Sequence, residues 1–463
     1  MQVVVKNGTV VTATDVFAAD VAIDNGIISQ IGRSIEPTPG ARVVDATGKL
    51  VLPGGVYAHT HLDVEAQGSH TADDWRTGTY AAACGGTTSL VDFCSQTRGG
   101  TFRDAIALWN ANAEGKAAID YGYHMIVVDL SDGRYDELAD LPAMGITSYK
   151  IFMAYKYANM VDDWVLVRTL EQSRLHGALV MVHAENGDLA YLLQQRLLAE
   201  GKTGPAAHPM SRPPRVEAEA TARAIALAEV VGAPLFVVHM SCSESIEELV
   251  RGRARGVPVF GETCPQYLYL TDEVFNAPGF EGAKYVFTPP PRPRHQPELV
   301  WQALTNGTLQ SIGSDHSPFN FKGQKEIGRD DFTRIPNGAP GIEERLMLAY
   351  QGVNAGRFSL SRFVDLVATA PAKIFGLFPE KGTIAVGSDA DLVLWDPNAE
   401  LTITQSALHH AVDYTAYEGT KIRGIPQTVL LRGQLIVENR EYVGTPGTGR
   451  FLKRKRFDAR NVR

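Results

Sequence analysis

At 463 residues the chain exceeds what one hydrophobic core usually supports, so a large body plus a smaller unit is the first expectation. Apolar residues make up 44% and charged residues 21%, which excludes a disordered or fibrous chain. A net charge of -8 leaves no electrostatic case for nucleic acid or an anionic membrane as partner.

The first fifty residues alternate short β-forming runs with turn pairs: Val3–Val5 leads into Asn7-Gly8, and Val21–Ile23 into Asn25-Gly26. The same texture returns in Asp391–Trp395, Thr428–Leu431 and Leu435–Glu438. Neither piece can bury a sheet face alone, so residues 1–52 and 376–445 are expected to form one β-sandwich domain. Between them, residues 53–375 alternate strand-like and helix-like stretches. The strand candidates are Val51–Ala58, Thr87–Cys94, Tyr121–Val128, Ile146–Met153, Ala178–Ala184, Leu235–Met240, Val257–Thr263 and Thr308–Gly313. Helices are expected over Phe102–Gly115, Asp163–His176, Glu217–Val230 and Ser243–Arg255. Eight buried strands separated by helices point to a (β/α)₈ TIM barrel, with an open doubly wound sheet as the alternative. No G-x-G-x-x-G or P-loop motif supports a nucleotide site. The basic end, residues 446–463 with Lys453 through Arg456 in a row, reads as a solvated tail or a subunit-contact arm. Cys84, Cys94, Cys242 and Cys264 form no C-x-x-C pair and read as free buried thiols. With no apolar run near the length of a membrane span, the expected location is cytoplasmic.

Metal-capable side chains fall at the ends of these strand candidates. His59 and His61 follow the first, and residues two apart in a strand point to one face. His183 and His239 sit at the ends of later ones, and Asp315 just past the last. Any one of them has a plain alternative as a hydrogen-bonded polar residue or a loop cap; the repetition at strand ends favours ligands converging on a barrel mouth. Asp315 is also placed to act as a general base. Lys150 sits inside an apolar strand, where a free ammonium is costly. Either it pairs with a buried acid, or its amine has taken up CO₂ to become an anionic carbamate able to bridge two metals.

Several long segments carry a family likeness: PGGVYAHTHLD, TADDWRTGTYAAACGGTTSLVDF, SYKIFMAYK, VHAENGD, HMSC, ETCPQYLYL, GSDHSPFNFKGQK and FGLFPEKGTIAVGSDADLVLWDP. On these the chain resembles the D-hydantoinase/dihydropyrimidinase family of cyclic amidohydrolases over nearly its whole length. The resemblance implies two divalent metal ions per chain, zinc as the usual occupant. His59, His61, Asp315 and N6-carboxylated Lys150 would hold one; His183, His239 and the other carbamate oxygen would hold the second. It implies hydrolysis of a small cyclic imide to an N-carbamoyl amino acid by a metal-bridging hydroxide. Tyr155 would serve as oxyanion donor, Asp315 as proton carrier, and main-chain groups at Thr288 and Asn337 as the imide grip. A homotetramer is implied as well. One departure stands out: Val64-Glu65-Ala66-Gln67 replaces a proline-aromatic pair, and Asn159 replaces an aromatic residue, which weakens the case for large aromatic 5-substituents. The rival readings are an allantoinase, a dihydroorotase, or a non-catalytic assembly protein on the same scaffold.

Overall fold

The computed structural model describes residues 2–131 and 133–462. Eight parallel strands form the inner ring: β1 (Gly55–Thr60), β2 (Thr87–Ser95), β3 (Asp120–Ile126), β4 (Ser148–Phe152), β5 (Leu179–His183), β6 (Leu235–Val237), β7 (Val259–Thr263) and β8 (Ser311–Ile312). Each pairs with the next in chain order. A parallel bridge between Thr60 and His316 closes the ring, with the His61 N–H donating to the His316 carbonyl at 2.9 Å. The fold is a TIM barrel. Its strands are almost wholly buried, because helices cover the outside and side chains fill the inside.

Local signals account for the helices. Asp162 caps Asp163–His176 by accepting from the Val165 N–H, and Gly177, at φ 68°, ends it in the left-handed conformation that glycine adopts without steric cost. Asp74 and Thr77 form a reciprocal capping box on Trp75–Cys84. Both devices fix where a loop leaves the barrel rim.

The chain ends build a separate β-rich domain around one nine-stranded sheet, which joins strands from Val3–Val11 through Leu50–Pro53 to Leu392–Thr402 and Lys421–Leu431. The continuous strand expected over Val51–Ala58 is in fact two. Leu50–Pro53 pairs with Leu392–Trp395 in the β-domain sheet, and β1 begins the barrel. The break falls at Gly54, where a Cβ would lie 2.0 Å from Thr88 Oγ1, so only glycine lets the chain pass from sheet to barrel here.

The basic end is a second correction. Rather than a solvated tail, it packs along the outer floor of its own barrel. The Leu452 N–H donates to the Tyr121 carbonyl at 2.6 Å, Lys455 to Gly376 at 2.9 Å, and Phe457 to Gly177 at 2.8 Å. Arg454 is only 3% exposed and its guanidinium reaches the Tyr123 carbonyl. Together with Ala372, Ile374 and Phe375, Leu452 and Phe457 join the inward-facing cluster of Val56, Val91, Phe93 and Met181 and seal the barrel from below. Among the described residues no helix is long and apolar enough to cross a membrane.

Candidate functional site

The open end of the barrel receives every residue singled out from the sequence. A cavity of about 340 Å³ is lined by His59, His61, Lys150, Tyr155, His183, His239, Thr288, Asp315 and Asn337. His59 lies on β1 and His61 just past it; Lys150 is at the centre of β4; His183 closes β5; His239 and Asp315 follow β6 and β8. His59 Nε2 and His61 Nε2 approach Asp315 Oδ1 at 3.1 and 3.2 Å. One donor atom from each of the three falls within 4.8 Å of the others, a spacing that lets a single cation bind all three. Across the cavity His183 Nδ1 and His239 Nε2 face each other at 2.9 Å. Lys150 Nζ lies between, 4.8 Å from the Phe93 ring and 5.1 Å from the Phe152 ring.

Two carboxylates that sequence reasoning passed over fix the imidazoles. Glu262 Oε1 sits 2.5 Å from His59 Nδ1, which places the proton there and leaves the Nε2 lone pair facing the cavity. Glu185 Oε2 does the same for His183 Nε2 at 2.7 Å, freeing Nδ1. Arg212 holds Glu185 at 2.7 Å, and although burial opposes the charged form, that cation and His183 bring the Glu185 pKa to about 2. The signal was in the sequence: Glu185 stands two residues beyond a strand-end histidine, and Glu262 is the next-to-last residue of β7. Asp63, just past the His59–His61 pair, is turned to the surface hairpin, where it meets His70 at 3.3 Å.

The electrostatics suit cation binding. Burial lowers the pKa of His61 and His183, and lowers that of His239 well below the ordinary value, His183 beside it adding to the effect. Neutral rings are the ligating form. Burial opposes a proton on His59, but Glu262 and Asp315 outweigh it and raise its pKa. Burial also favours the acid form of Asp315, yet His59 and His61 hold it well below the usual carboxylate range. The Lys150 ammonium, 1% exposed, is pushed down to about 8 by burial. His59 Nε2 and His239 Nδ1 are buried without a hydrogen-bond partner, a cost that a ligand in the cavity relieves for the first.

Backbone strain gathers at the same place. His239, Asp315 and Tyr155 have φ of 39°, 52° and 67°, the left-handed region that non-glycine residues rarely adopt. At the cavity roof, Thr288 Oγ1 donates to Asn337 Oδ1 at 2.5 Å. Tyr155 is kept protonated by burial. Glu65 and Asn159, the departures from the family pattern, line the cavity too.

Comparison with known proteins agrees with this geometry. Residues 50–436 match the model of the amidohydrolase family. A D-hydantoinase of Rhizobium radiobacter is 57% identical over 99% of this chain and 100% of its own length. One from Geobacillus stearothermophilus is 50% identical over 99% of this chain and 98% of its own. The crystal structure of a dihydropyrimidinase from Brevibacillus agri superposes with a TM-score of 0.98 at 50% identity, covering 99% of this chain and 100% of that one. The family and the His59–His61–Asp315 cluster suit a binuclear metal site. The chain belongs to the D-hydantoinase/dihydropyrimidinase family of cyclic amidohydrolases.

Proposed function

We propose that the protein hydrolyses the ring amide of dihydropyrimidines and 5-substituted hydantoins to give N-carbamoyl amino acids. The observation that carries this reading is the convergence of four histidines, Lys150 and Asp315 on a single cavity sized for a small ring. Relatives named D-hydantoinase that match end to end support the substrate class.

The donor set fits two divalent cations. His59, His61 and Asp315 would hold one, His183 and His239 the other, with carboxylated Lys150 contributing an oxygen to each. Nitrogen and oxygen donors of this kind suit zinc. Lys150 is suited to carboxylation because burial favours its neutral amine, the form that adds to CO₂ with loss of a proton. Bound there, the cations supply Lewis acidity to a water and to the scissile carbonyl.

The chain's own residues do the rest. Asp315 accepts the proton of the attacking water and returns it to the leaving ring nitrogen. The Tyr155 hydroxyl donates to the oxyanion that develops on the carbonyl. Main-chain N–H and C=O groups at Thr288 and Asn337 grip the imide and set its orientation. We further propose a barrel unit over 53–375, a β-domain from 1–52 with 376–445, a homotetrameric assembly and a cytoplasmic location. Four buried cysteines, none in a disulfide, support the reducing compartment.

Steady-state kinetics on dihydrouracil, hydantoin, 5-phenylhydantoin, allantoin and dihydroorotate test the reading. Dihydrouracil and lightly substituted hydantoins should be cleaved best, and 5-phenylhydantoin less well than in enzymes with an aromatic-lined pocket, because Glu65 and Asn159 replace apolar surface. Dihydroorotate should be a poor substrate, since among the described residues no arginine lines the cavity. A clear preference for allantoin would move the protein to the rival assignment.

A further inference from the structure

The mouth of the cavity is crossed by hydrogen bonds from a surface hairpin. Glu65–Ala66 pairs with Ser69–His70, and Gln67 stands at the tip. Gln67 Oε1 accepts from the main-chain N–H of Asn337 at 2.7 Å, and Gln67 Nε2 donates to the Asn337 carbonyl at 3.1 Å. Asn337 Nδ2 adds a third bond to the same Oε1 at 3.0 Å.

The chemistry of that pair matters more than its strength. A primary amide always carries one N–H on the same side as its oxygen, so it offers an acceptor and a donor side by side. Ring closure imposes the same cis arrangement on the –CO–NH– of a hydantoin or a dihydropyrimidine. A single side chain of the protein therefore makes with Asn337 the two bonds that a cyclic amide is shaped to make. The Asn337 N–H has one proton and serves one acceptor well.

We propose that Gln67 is a latch that imitates the substrate: its side-chain amide holds the main-chain grip of Asn337 and is exchanged for the ring amide on binding, so it sets the affinity for every cyclic substrate. This rests on the reading of Asn337 as the imide grip given above.

Which partner yields is fixed by the packing. Lys325, fully buried, donates to the carbonyls of Val286 and Pro336, both at 2.9 Å, and so clamps the two segments that carry Thr288 and Asn337. Gly338 follows with its N–H on the Val286 carbonyl, and a Cβ there would lie 2.1 Å from the Ser317 carbonyl, so the loop is seated closely against the segment after β8. Gln67 is an exposed residue on a two-residue-per-strand hairpin. Rotation of its side chain alone frees Asn337, and an outer cavity of about 480 Å³, which Gln67 also lines beside Gln194 and Thr333, has room to receive the amide.

The test compares the metal-loaded full-length enzyme with its Gln67→Ala and Gln67→Met variants on hydantoin and dihydrouracil. A latch closed for most of the time lowers apparent affinity by the fraction of open molecules, so both variants should show KM reduced on the order of 3–10-fold with kcat little changed. A role limited to bracing the Asn337 loop predicts the opposite sign, a raised KM. An unchanged or raised KM in both variants overturns the latch. Inhibition by 3-methylhydantoin, which lacks the imide N–H, checks the underlying reading separately. If it binds wild-type enzyme at least about tenfold more weakly than hydantoin, the Asn337 grip stands and the Gln67 result decides the latch alone. If it binds as well as hydantoin, the grip and the latch fall together.

Discussion

His59, His183 and Lys150 illustrate how burial and neighbours select one form of each side chain. Glu262 and Glu185 fix one nitrogen of their histidines and turn the other toward the cavity, while burial lowers the Lys150 pKa to about 8 and so makes its neutral amine more accessible. The strained φ values of His239, Asp315 and Tyr155 belong with this, since each residue leaves its strand at an angle an unstrained chain would not take. On the bridging role proposed for Lys150, Lys150→Ala should lose the metals held in the cavity. Fixing partners of a ligand are worth about 10–100-fold, so loss of a ligand itself should lower kcat by more than about 100-fold. Elemental analysis should show the metal content falling together with the rate, and short carboxylic acids should restore part of both. Full activity with both ions retained would exclude the bridging role.

At the scale of elements, the mouth is made by loops whose positions the barrel strands alone do not set. The stretch between Asp315 and Asn337 contains short 3₁₀ turns at Lys325–Gly328 and Phe332–Arg334, and Lys325 is its internal tie. Burial pushes the Lys325 ammonium down to about 7, and even the neutral amine has two protons for the two carbonyls it meets. Lys325→Met keeps the bulk but leaves the Val286 and Pro336 carbonyls unpaired, each at a cost of about 1–3 kcal/mol. We expect KM for hydantoin to rise about tenfold, with metal content and kcat largely kept. A lowered melting temperature with KM unchanged would make Lys325 a purely structural residue.

Across the whole molecule, the two domains are locked by buried charge. Lys381 of the segment leading into the β-domain meets Asp120 of β3 at 2.7 Å and Asp391 at 2.8 Å. On the other side His410 faces Glu344 at 3.7 Å, the Ala411 N–H donates to Asp73 at 2.8 Å, and Asp73 in turn holds His316 at 3.2 Å, next to Asp315. Burial opposes the His410 proton, but Glu344, Asp73 and Glu343 outweigh it and raise its pKa to about 9. A histidine whose folded pKa exceeds its unfolded value of about 6.5 binds its proton more tightly when folded. Its contribution is fully present below about pH 6.5 and fades as pH rises toward 9. The difference in melting temperature between wild type and His410→Asn should therefore be several degrees near pH 6 and shrink near pH 9. A difference independent of pH would show that His410 is neutral in the folded protein.

Much of this was legible in the residues. Apolar runs broken by helical stretches specify eight barrel strands, because a strand buried on both faces needs apolar residues at every position; the ligand candidates were visible because chemistry on a barrel collects at strand ends. Asp162 and Gly177 mark the ends of their helix to the residue, since capping is a local interaction. What stayed hidden were relations between distant residues. Nothing local says that Leu50–Pro53 pairs with Leu392–Trp395 while Gly55 starts the barrel, or that the backbone of the basic segment near the end packs onto the barrel floor with only Arg454 of its four basic side chains buried. Glu262 and Glu185 read as ordinary acids until the barrel closes and brings Glu262 within 2.5 Å of His59, 203 positions earlier in the chain. The sequence by itself determined the class of fold, the candidates for metal binding and the family, all of which depend on local pattern and residue type. Only the tertiary structure decided which nitrogen of each imidazole faces the cavity, which loop is clamped and which side chain covers Asn337, because those follow from distances that exist only once the chain is packed.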